Sequence, residues 1–275
     1  MEPRGVRIAL RIWVVAVLLF LFLPIALIIL YAFNHSNIER WPITRFSFHW
    51  FSVAWHDPEV RTALLLSVKV ALLATAIALL LGSAVAYAVH RFRFFGREAV
   101  SLLLVLPLAL PGIITGIALN SFFAFNNVQL SLWTIVIGHA TFCIVVVYNN
   151  VVARLRRVPG SLAEASMDLG ARGWQTLRYV TVPMVGTALA SGALLAFALS
   201  FDEVIVTVFT AGAQNTLPLW IFGAIRLGQR LPEVNAVVSF VVVLTIVPVI
   251  VATRLAGTSG ITRTARVTTQ AAEET

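Results

Sequence analysis

Six apolar runs, each long enough to cross a lipid bilayer, constrain the fold of this chain more than any other feature. A helix rises about 1.5 Å per residue, so about 20 apolar residues span the hydrocarbon core. Only 12% of the 275 residues are charged, against about 25% in an ordinary soluble domain. We therefore predict an all-α, polytopic membrane protein. Its six transmembrane helices are predicted at about residues 12–33, 62–89, 99–125, 131–153, 184–210 and 234–253.

The first run has the position of a secretory signal peptide. Its apolar core is longer than the usual ~7–15 residues, and no small-residue cleavage motif follows it, so we interpret it as an uncleaved span. We expect a single transmembrane domain over residues 1–255 and a disordered tail over residues 256–275. No soluble domain is predicted.

The arginines predict the orientation, because cytoplasmic loops carry an excess of basic residues. If both termini are cytoplasmic, the outer segments contain few arginines, namely Arg40, Arg45, Arg61, Arg226 and Arg230. The inner segments contain Arg4, Arg7, Arg11, Arg91, Arg93, Arg97, Arg154, Arg156, Arg157, Arg172, Arg178, Arg254, Arg263 and Arg266. The net charge of +8 is therefore interpreted as a signal for topology and not as a nucleic-acid-binding surface.

Several chemistries are excluded or disfavoured by single residues. Cys143 is the only cysteine, which excludes a disulfide within the chain. Lys69 is the only lysine and lies inside the second predicted span, so the chain has no Walker A loop with which to hydrolyse ATP. His139 is interpreted as an interhelical hydrogen-bonding residue. We expect no metal or cofactor in this chain.

The loop over residues 34–60 contains three histidines among many aromatic residues. A metal cluster is one interpretation of His35, His49 and His56. Their irregular spacing favours the other, an aromatic belt at the membrane interface.

The third predicted span contains Pro107, Pro111, Gly112 and Gly116. Proline removes a backbone hydrogen bond, so we predict a kink there. Irregular backbone within a membrane is tolerated where it lines a polar cavity. The Gly112–Gly116 spacing also allows a neighbouring helix to approach closely, and the two interpretations are compatible.

The longest inner loop covers residues 154–183. Ser161 and Glu164 have the spacing of a capping box, and Gly170 stands where a left-handed C-terminal cap is wanted. We predict a short helix over residues 162–169. A second short helix is predicted from Arg172 to Pro183.

This first loop helix is acidic, since it contains Glu164 and Asp168. An amphipathic helix lying passively on the membrane is one interpretation. Anionic headgroups repel an acidic face, so a surface that docks on another protein is the favoured interpretation.

Asp202 and Glu203 stand near the outer end of the fifth predicted span. An ionised acid at mid-bilayer costs about 2.5–3.5 kcal/mol, so neither is expected to face lipid. At least one acid could line a pathway for a cationic solute, or the acids could be structural and bonded to a loop or a neighbouring arginine. Beyond them, we predict an interfacial helix over residues 217–226, with Pro218 in its first turn. Arg226 and Arg230 are expected to be solvated or to pair with a partner.

The inner loop resembles that of ABC-importer permeases. The resemblance rests on Glu164-Ala165, Gly170 and Pro183, with Ser166 where a second alanine is usual. Further stretches resemble the second permease subunit of spermidine/putrescine importers, whose relatives also include permeases for opines, aminophosphonates and ferric iron. They are residues 86–88, 107–112, 199–203, Gly212, 215–218 and 232–236.

This resemblance implies the fold of a type I ABC-importer permease in a bacterial inner membrane. It also implies a second permease subunit, a dimer of ATPase subunits that bind ATP and Mg²⁺, and an extracytoplasmic solute-binding protein. Glu164, Ala165, Asp168, Gly170 and Pro183 would then couple the permease to the ATPase.

Two other classes of function fit the sequence less well. An ion-coupled secondary carrier usually contains inverted repeats with broken helices in matching positions, which six spans with one broken helix fit poorly. An intramembrane enzyme is disfavoured because the sequence has neither a His-Glu-x-x-His nor a Gly-x-Ser-x-Gly motif.

Overall fold

The computed structural model describes residues 4–245. The predicted tail and the last part of the sixth predicted span lie outside the described residues. The described residues form helices and no strand, with one isolated antiparallel bridge between Asn34 and Phe46. The all-α prediction is therefore confirmed for this part of the chain.

The chain divides into two units, Met1–Asp57 with Ala224–Thr275, and Pro58–Gly223. The helix bounds are α1 Arg4–Ala32, α2 His49–His56, α3 Pro58–Arg91, α4 Arg97–Ala109, α5 Gly112–Phe125, α6 Leu132–Leu155, α7 Ser161–Asp168, α8 Gly173–Phe201, α9 Ile205–Thr210, α10 Leu217–Arg226 and α11 Leu231–Thr245. Helices α1, α2 and α11 belong to the first unit, and α3 to α9 belong to the second. Helix α10 begins in the second unit and ends in the first.

Four helices are long and apolar enough to cross a membrane, and they match the first, second, fourth and fifth predicted spans: Gly5–Ala32, Pro58–Arg91, Leu132–Leu155 and Gly173–Phe201. The pair α4 and α5 makes a fifth if it is counted as one broken span. Helix α11 is shorter over its described part, so the count of six spans stays a prediction.

The predicted kink in the third span is a complete break. The chain bends by 105° between α4 and α5. Pro111 disfavours a helical conformation in the residue before it, and Leu110 is accordingly extended, with ψ 140°. Pro107, in contrast, lies inside α4.

Small residues allow the helices of the second unit to pack closely. Ala74, Ala78, Gly82 and Ala86 recur at every fourth position of α3 and are all buried. A Cβ at Gly82 would lie 2.8 Å from the carbonyl oxygen of Ile144 in α6. Helix α6 packs against α3 and also against α8, and the three helices share one apolar core.

The fifth predicted span is wrong at its outer end. It was expected to continue to residue 210, but α8 ends at Phe201. After a turn at residues 202–204, the separate short helix α9 packs against α5 and α6. The apolar composition of residues 204–209 suggested a continuous span, and the capping contact of Glu203 described below explains the break.

The expectation that Arg230 would be solvated or would pair with a partner protein is wrong. In the first unit its guanidinium forms an ion pair with Asp57 and also with Glu233, where Nε lies 2.7 Å from Oε2. Glu233 is only 2% exposed, so burial of its carboxylate demands a charged partner. Arg226 is exposed.

Candidate functional site

The predicted loop helix exists and ends as expected. Helix α7 runs from Ser161 to Asp168, and Gly170 follows it with φ +87°. The amide of Gly170 donates to the carbonyl of Met167 at 2.9 Å, and the amide of Ala171 donates to the backbone carbonyl of Ser166 at 3.1 Å. These two bonds make a Schellman motif, in which a left-handed glycine ends the helix.

The predicted capping box at the start of α7 is wrong. Gly160 is the N-cap residue, and no side chain caps the helix. The amide of Glu164 donates to the carbonyl of Gly160 at 3.2 Å, because Ser161 already lies within the first helical turn.

The second short helix is also different from the prediction. Residues from Gly173 onward belong to α8 itself, which continues through Pro183 to Phe201. A π-helical turn at Leu177–Thr181 precedes the proline, and the amide of Val182 donates to the carbonyl of Leu177. The wider turn accommodates the proline ring, which would otherwise clash with the carbonyl four residues earlier. Pro183 therefore does not mark a boundary.

A hydroxyl pair joins α7 to α8. Ser166 Oγ lies 2.6 Å from Thr176 Oγ1, and Thr176 is buried. The contact uses the position where the resembling loops have alanine. Nothing in the local sequence identified Thr176 as the partner of Ser166.

The surface of the α7 segment combines acids with apolar side chains. Glu164, Ala165 and Asp168 are all exposed. Leu169 is 90% exposed and Trp174 is 68% exposed. Exposed apolar side chains beside charged ones are typical of protein-binding surfaces. Residues 161–174 are called the docking segment below.

The two acids predicted for a pathway lie in the turn between α8 and α9, called the acidic turn (residues 202–204). Glu203 Oε1 accepts the amide of Val206 at 2.9 Å and so caps the start of α9. Asp202 terminates α8 and is exposed. The structure thus gives Glu203 a structural contact and leaves the Asp202 carboxylate accessible.

His139 connects the helices on both sides of the acidic turn. It is 1% exposed, with Nδ1 2.8 Å from Ser200 Oγ in α8 and Nε2 2.9 Å from Thr207 Oγ1 in α9. Thr207 donates its own hydroxyl proton to the carbonyl of Glu203 at 2.8 Å. Nε2 must therefore carry the proton that it shares with Thr207, and Nδ1 accepts from Ser200. The prediction of an interhelical hydrogen-bonding role for His139 is confirmed.

Two further side chains hold α9 in place. Asn120 of α5 donates to the carbonyl of Phe209 at 2.7 Å, and Thr134 of α6 donates to the carbonyl of Thr210 at 2.7 Å. These carbonyls lie at the C-terminal end of a helix of six residues, where no intrahelical donor is available. Sequence reasoning missed both residues, although Asn120 was a detectable signal as an amide inside an apolar run.

Lys69 lines a cavity of about 660 Å³ in the second unit. Glu59, Gln214, Asn215 and Trp220 also line it. Within residues 4–245, no group of three or more His, Cys, Asp or Glu side chains could hold a metal ion.

Comparisons with known proteins identify the architecture. The profile of the family described as "Binding-protein-dependent transport system inner membrane component" matches residues 78–258. The chain belongs to this permease family. The match covers α4 to α9 with the docking segment and the acidic turn, so both features lie in the part of the chain that defines the family.

Curated relatives of this permease match along most of its length. The spermidine/putrescine transport system permease protein PotC of Escherichia coli (strain K12) is 34% identical, over 86% of this chain and 89% of the relative. The putrescine transport system permease protein PotI of the same organism is 32% identical, over 83% and 85%. The putative 2-aminoethylphosphonate transport system permease protein PhnV of Salmonella typhi is 28% identical, over 80% and 84%.

The fold is also that of a solved transporter. A chain in the crystal structure of a bacterial ABC transporter involved in the import of the acidic polysaccharide alginate superposes with a TM-score of 0.67. The match covers 94% of this permease and 98% of that chain, at 19% sequence identity. It establishes an ABC-transporter permease fold.

Proposed function

We propose that this permease carries polyamines such as putrescine and spermidine across a bacterial inner membrane. It would act as one of two permease subunits, with both termini in the cytoplasm. Two observations support the proposal. The carboxylate of Asp202 at the acidic turn is exposed, and the relatives at 34% and 32% identity are named as polyamine permeases. A polyamine carries several ammonium groups, and a fixed carboxylate attracts them over several ångströms.

ATP hydrolysis is assigned to a partner chain that docks on the docking segment. The exposed Leu169 and Trp174 would insert into the partner, and Glu164 and Asp168 would meet basic residues at the rim. Gly170 would set the direction of the chain after α7, and Pro183 would act from within α8, the helix that follows the docking segment. No cofactor is assigned to the permease itself, since ATP and Mg²⁺ would bind to the partner.

Solute delivery is assigned to an extracytoplasmic binding protein. On the predicted topology, the loop before α3 and the helix α10 lie on the outer side. Such a protein would release the solute close to the acidic turn.

The transport test is ATP-driven uptake in vesicles that contain the permease and its partner subunits. Labelled putrescine, spermidine and 2-aminoethylphosphonate would be compared, with the ion gradient collapsed by ionophores. We expect uptake of the two polyamines and competition between them. Uptake of the phosphonate alone, or uptake that ignores ATP and follows the ion gradient, would reject the proposal.

The carboxylate test uses Asp202→Asn, with Glu98→Gln as a matched control because Glu98 is an exposed acid at the start of α4. We expect Asp202→Asn to reduce polyamine uptake by about tenfold, the effect of losing about 1.4 kcal/mol of attraction. Glu98→Gln should retain uptake. Equal uptake by both variants would remove Asp202 from the pathway.

A further inference from the structure

A polar cavity of about 500 Å³ opens beside α6 and α8, and none of its lining residues belongs to the acidic turn or the docking segment. Its polar lining comes from the last turns of α6 and from one face of α8. The six polar lining residues are Asn149, Asn150, Arg154, Arg157, Thr187 and Ser191. This set is called the arginine cavity below.

The chemistry of the arginine cavity suits an anion. Its lining residues include two guanidinium groups, two amides and two hydroxyls, and no acid. Within residues 4–245, neither Arg154 nor Arg157 forms an ion pair. Arginine presents several N–H groups in a planar fork that matches the oxygens of a phosphate.

Arg154 is held in position by the neighbouring helix. Its Nε donates to the carbonyl of Met184 in α8 at 3.1 Å. This bond uses one of the five donors of the guanidinium group. The side chain is therefore oriented without a ligand, while its charge stays uncompensated.

The position of the cavity along the membrane normal favours a lipid headgroup as its ligand. Arg154 lies in the last turn of the long apolar helix α6 and Arg157 lies two residues past its end, where a span passes from hydrocarbon into the headgroup layer. Basic pockets between transmembrane helices at this depth bind anionic lipid headgroups. Polyamines are excluded, because two unpaired positive charges repel them.

We propose that the arginine cavity binds the phosphate group of an anionic phospholipid, with Arg154 and Arg157 on the phosphate oxygens. The bound lipid stabilises the contact between α6 and α8 from the membrane side. The proposal does not depend on which solute the permease carries.

The first test measures phosphatidylglycerol retained by the permease purified with its native subunits. Native mass spectrometry would compare the unaltered protein with Arg157→Gln, after transfer into nanodiscs of phosphatidylcholine with or without phosphatidylglycerol. Arg93→Gln is the matched control, since Arg93 is an exposed arginine between α3 and α4. We expect binding about tenfold weaker in Arg157→Gln and unchanged in Arg93→Gln, because Arg157→Gln removes one charged hydrogen-bond donor from the phosphate.

A protection assay separates a lipid from free phosphate and from an aqueous channel. Asn149→Cys, in a Cys143→Ser background, would be labelled with a water-soluble maleimide, with Arg93→Cys as an exposed control in the loop between α3 and α4. We expect phosphatidylglycerol to slow labelling at position 149 and not at position 93. The proposal would be overturned if inorganic phosphate protected position 149 as well as the lipid does, or if position 149 were labelled equally fast in both lipid mixtures. It would also be overturned if Arg157→Gln retained as much lipid as the unaltered protein. In phosphatidylcholine alone, the thermal midpoint of Arg157→Gln is expected to equal that of Arg93→Gln, which excludes misfolding as the cause; phosphatidylglycerol should raise the midpoint of Arg93→Gln more than that of Arg157→Gln.

Discussion

Gly116 of α5 lies directly against the ring of Phe209 in α9: a Cβ at Gly116 would stand 2.5 Å from Cδ2 of that ring. The broken span and the short helix thus meet with no room for a methyl group. At Gly112, one helical turn earlier, the nearest atoms of Ile205 lie 3.6 Å away, an ordinary contact.

Gly116→Ala is therefore expected to destabilise the permease by about 1–3 kcal/mol, the usual cost of overpacking a dense core. Gly112→Ala should have a much smaller effect. Thermal unfolding of the purified protein in detergent, followed by tryptophan fluorescence, measures the difference. Equal midpoints for the two variants would show that Phe209 moves aside easily.

His139→Ala is expected to lower the stability of the region around the acidic turn. The variant leaves the hydroxyls of Ser200 and Thr207 without their buried partner, and an unsatisfied buried group costs about 1–3 kcal/mol. The control is His56→Ala, because His56 is exposed and bonds only within its own helix, to Ser52. Unfolding by heat should occur at a lower temperature in His139→Ala alone; an unchanged midpoint would contradict the bridging role.

Gly170→Ala is expected to weaken the end of α7, because a left-handed conformation costs a residue with a Cβ about 1–2 kcal/mol. Gly160→Ala is the matched control at the other end of the helix, where φ is −60°. Hydrogen exchange of the amides in residues 161–171 should be faster in Gly170→Ala than in Gly160→Ala. The reverse order would indicate that the Schellman motif does not limit opening of the segment.

Ser166→Ala is expected to increase hydrogen exchange in α7 by about twofold to tenfold, since a net hydrogen bond contributes about 0.5–1.5 kcal/mol. Ser161→Ala should leave exchange unchanged, because the Ser161 side chain caps nothing. If Ser161→Ala were the more damaging variant, the capping box inferred from the sequence would be correct after all.

Arg230→Gln is expected to destabilise the first unit by about 1–3 kcal/mol, because it leaves the buried carboxylate of Glu233 without its charged partner, although Arg230 itself is partly exposed. Arg226→Gln removes the same charge from an exposed position and should be nearly neutral. Chemical denaturation in mixed micelles can compare them. A small effect in both would mean that water replaces the guanidinium.

The sequence predicted features that depend on local chemistry. The long apolar runs became helices, Pro111 ended α4, and Gly170 adopted a positive φ, because each outcome depends on residues close by in the chain. The break after Phe201 was not predicted, since residues 204–209 are as apolar as the span before them. It depends on Glu203 capping α9 and on Asn120 and Thr134, which are distant in sequence.

The candidate site was predicted in the same uneven way. The short helix that contains Glu164 and Asp168 was predicted, because the Gly170 cap that ends it depends on local sequence; the coupling role of these acids stays a prediction. The ion pair of Arg230 with Asp57 and the hydroxyl contact of Ser166 with Thr176 could not be predicted, because only the folded chain brings those residues together.

The continuity of α8 has a mechanical consequence. Its 29 residues form one helix about 43 Å long, from beside the docking segment to the acidic turn. The π turn accommodates Pro183 inside the helix, so the chain stays helical from Trp174 to Phe201. If a partner protein displaces the segment near Trp174, we therefore expect the movement to be transmitted along this one helix to Asp202.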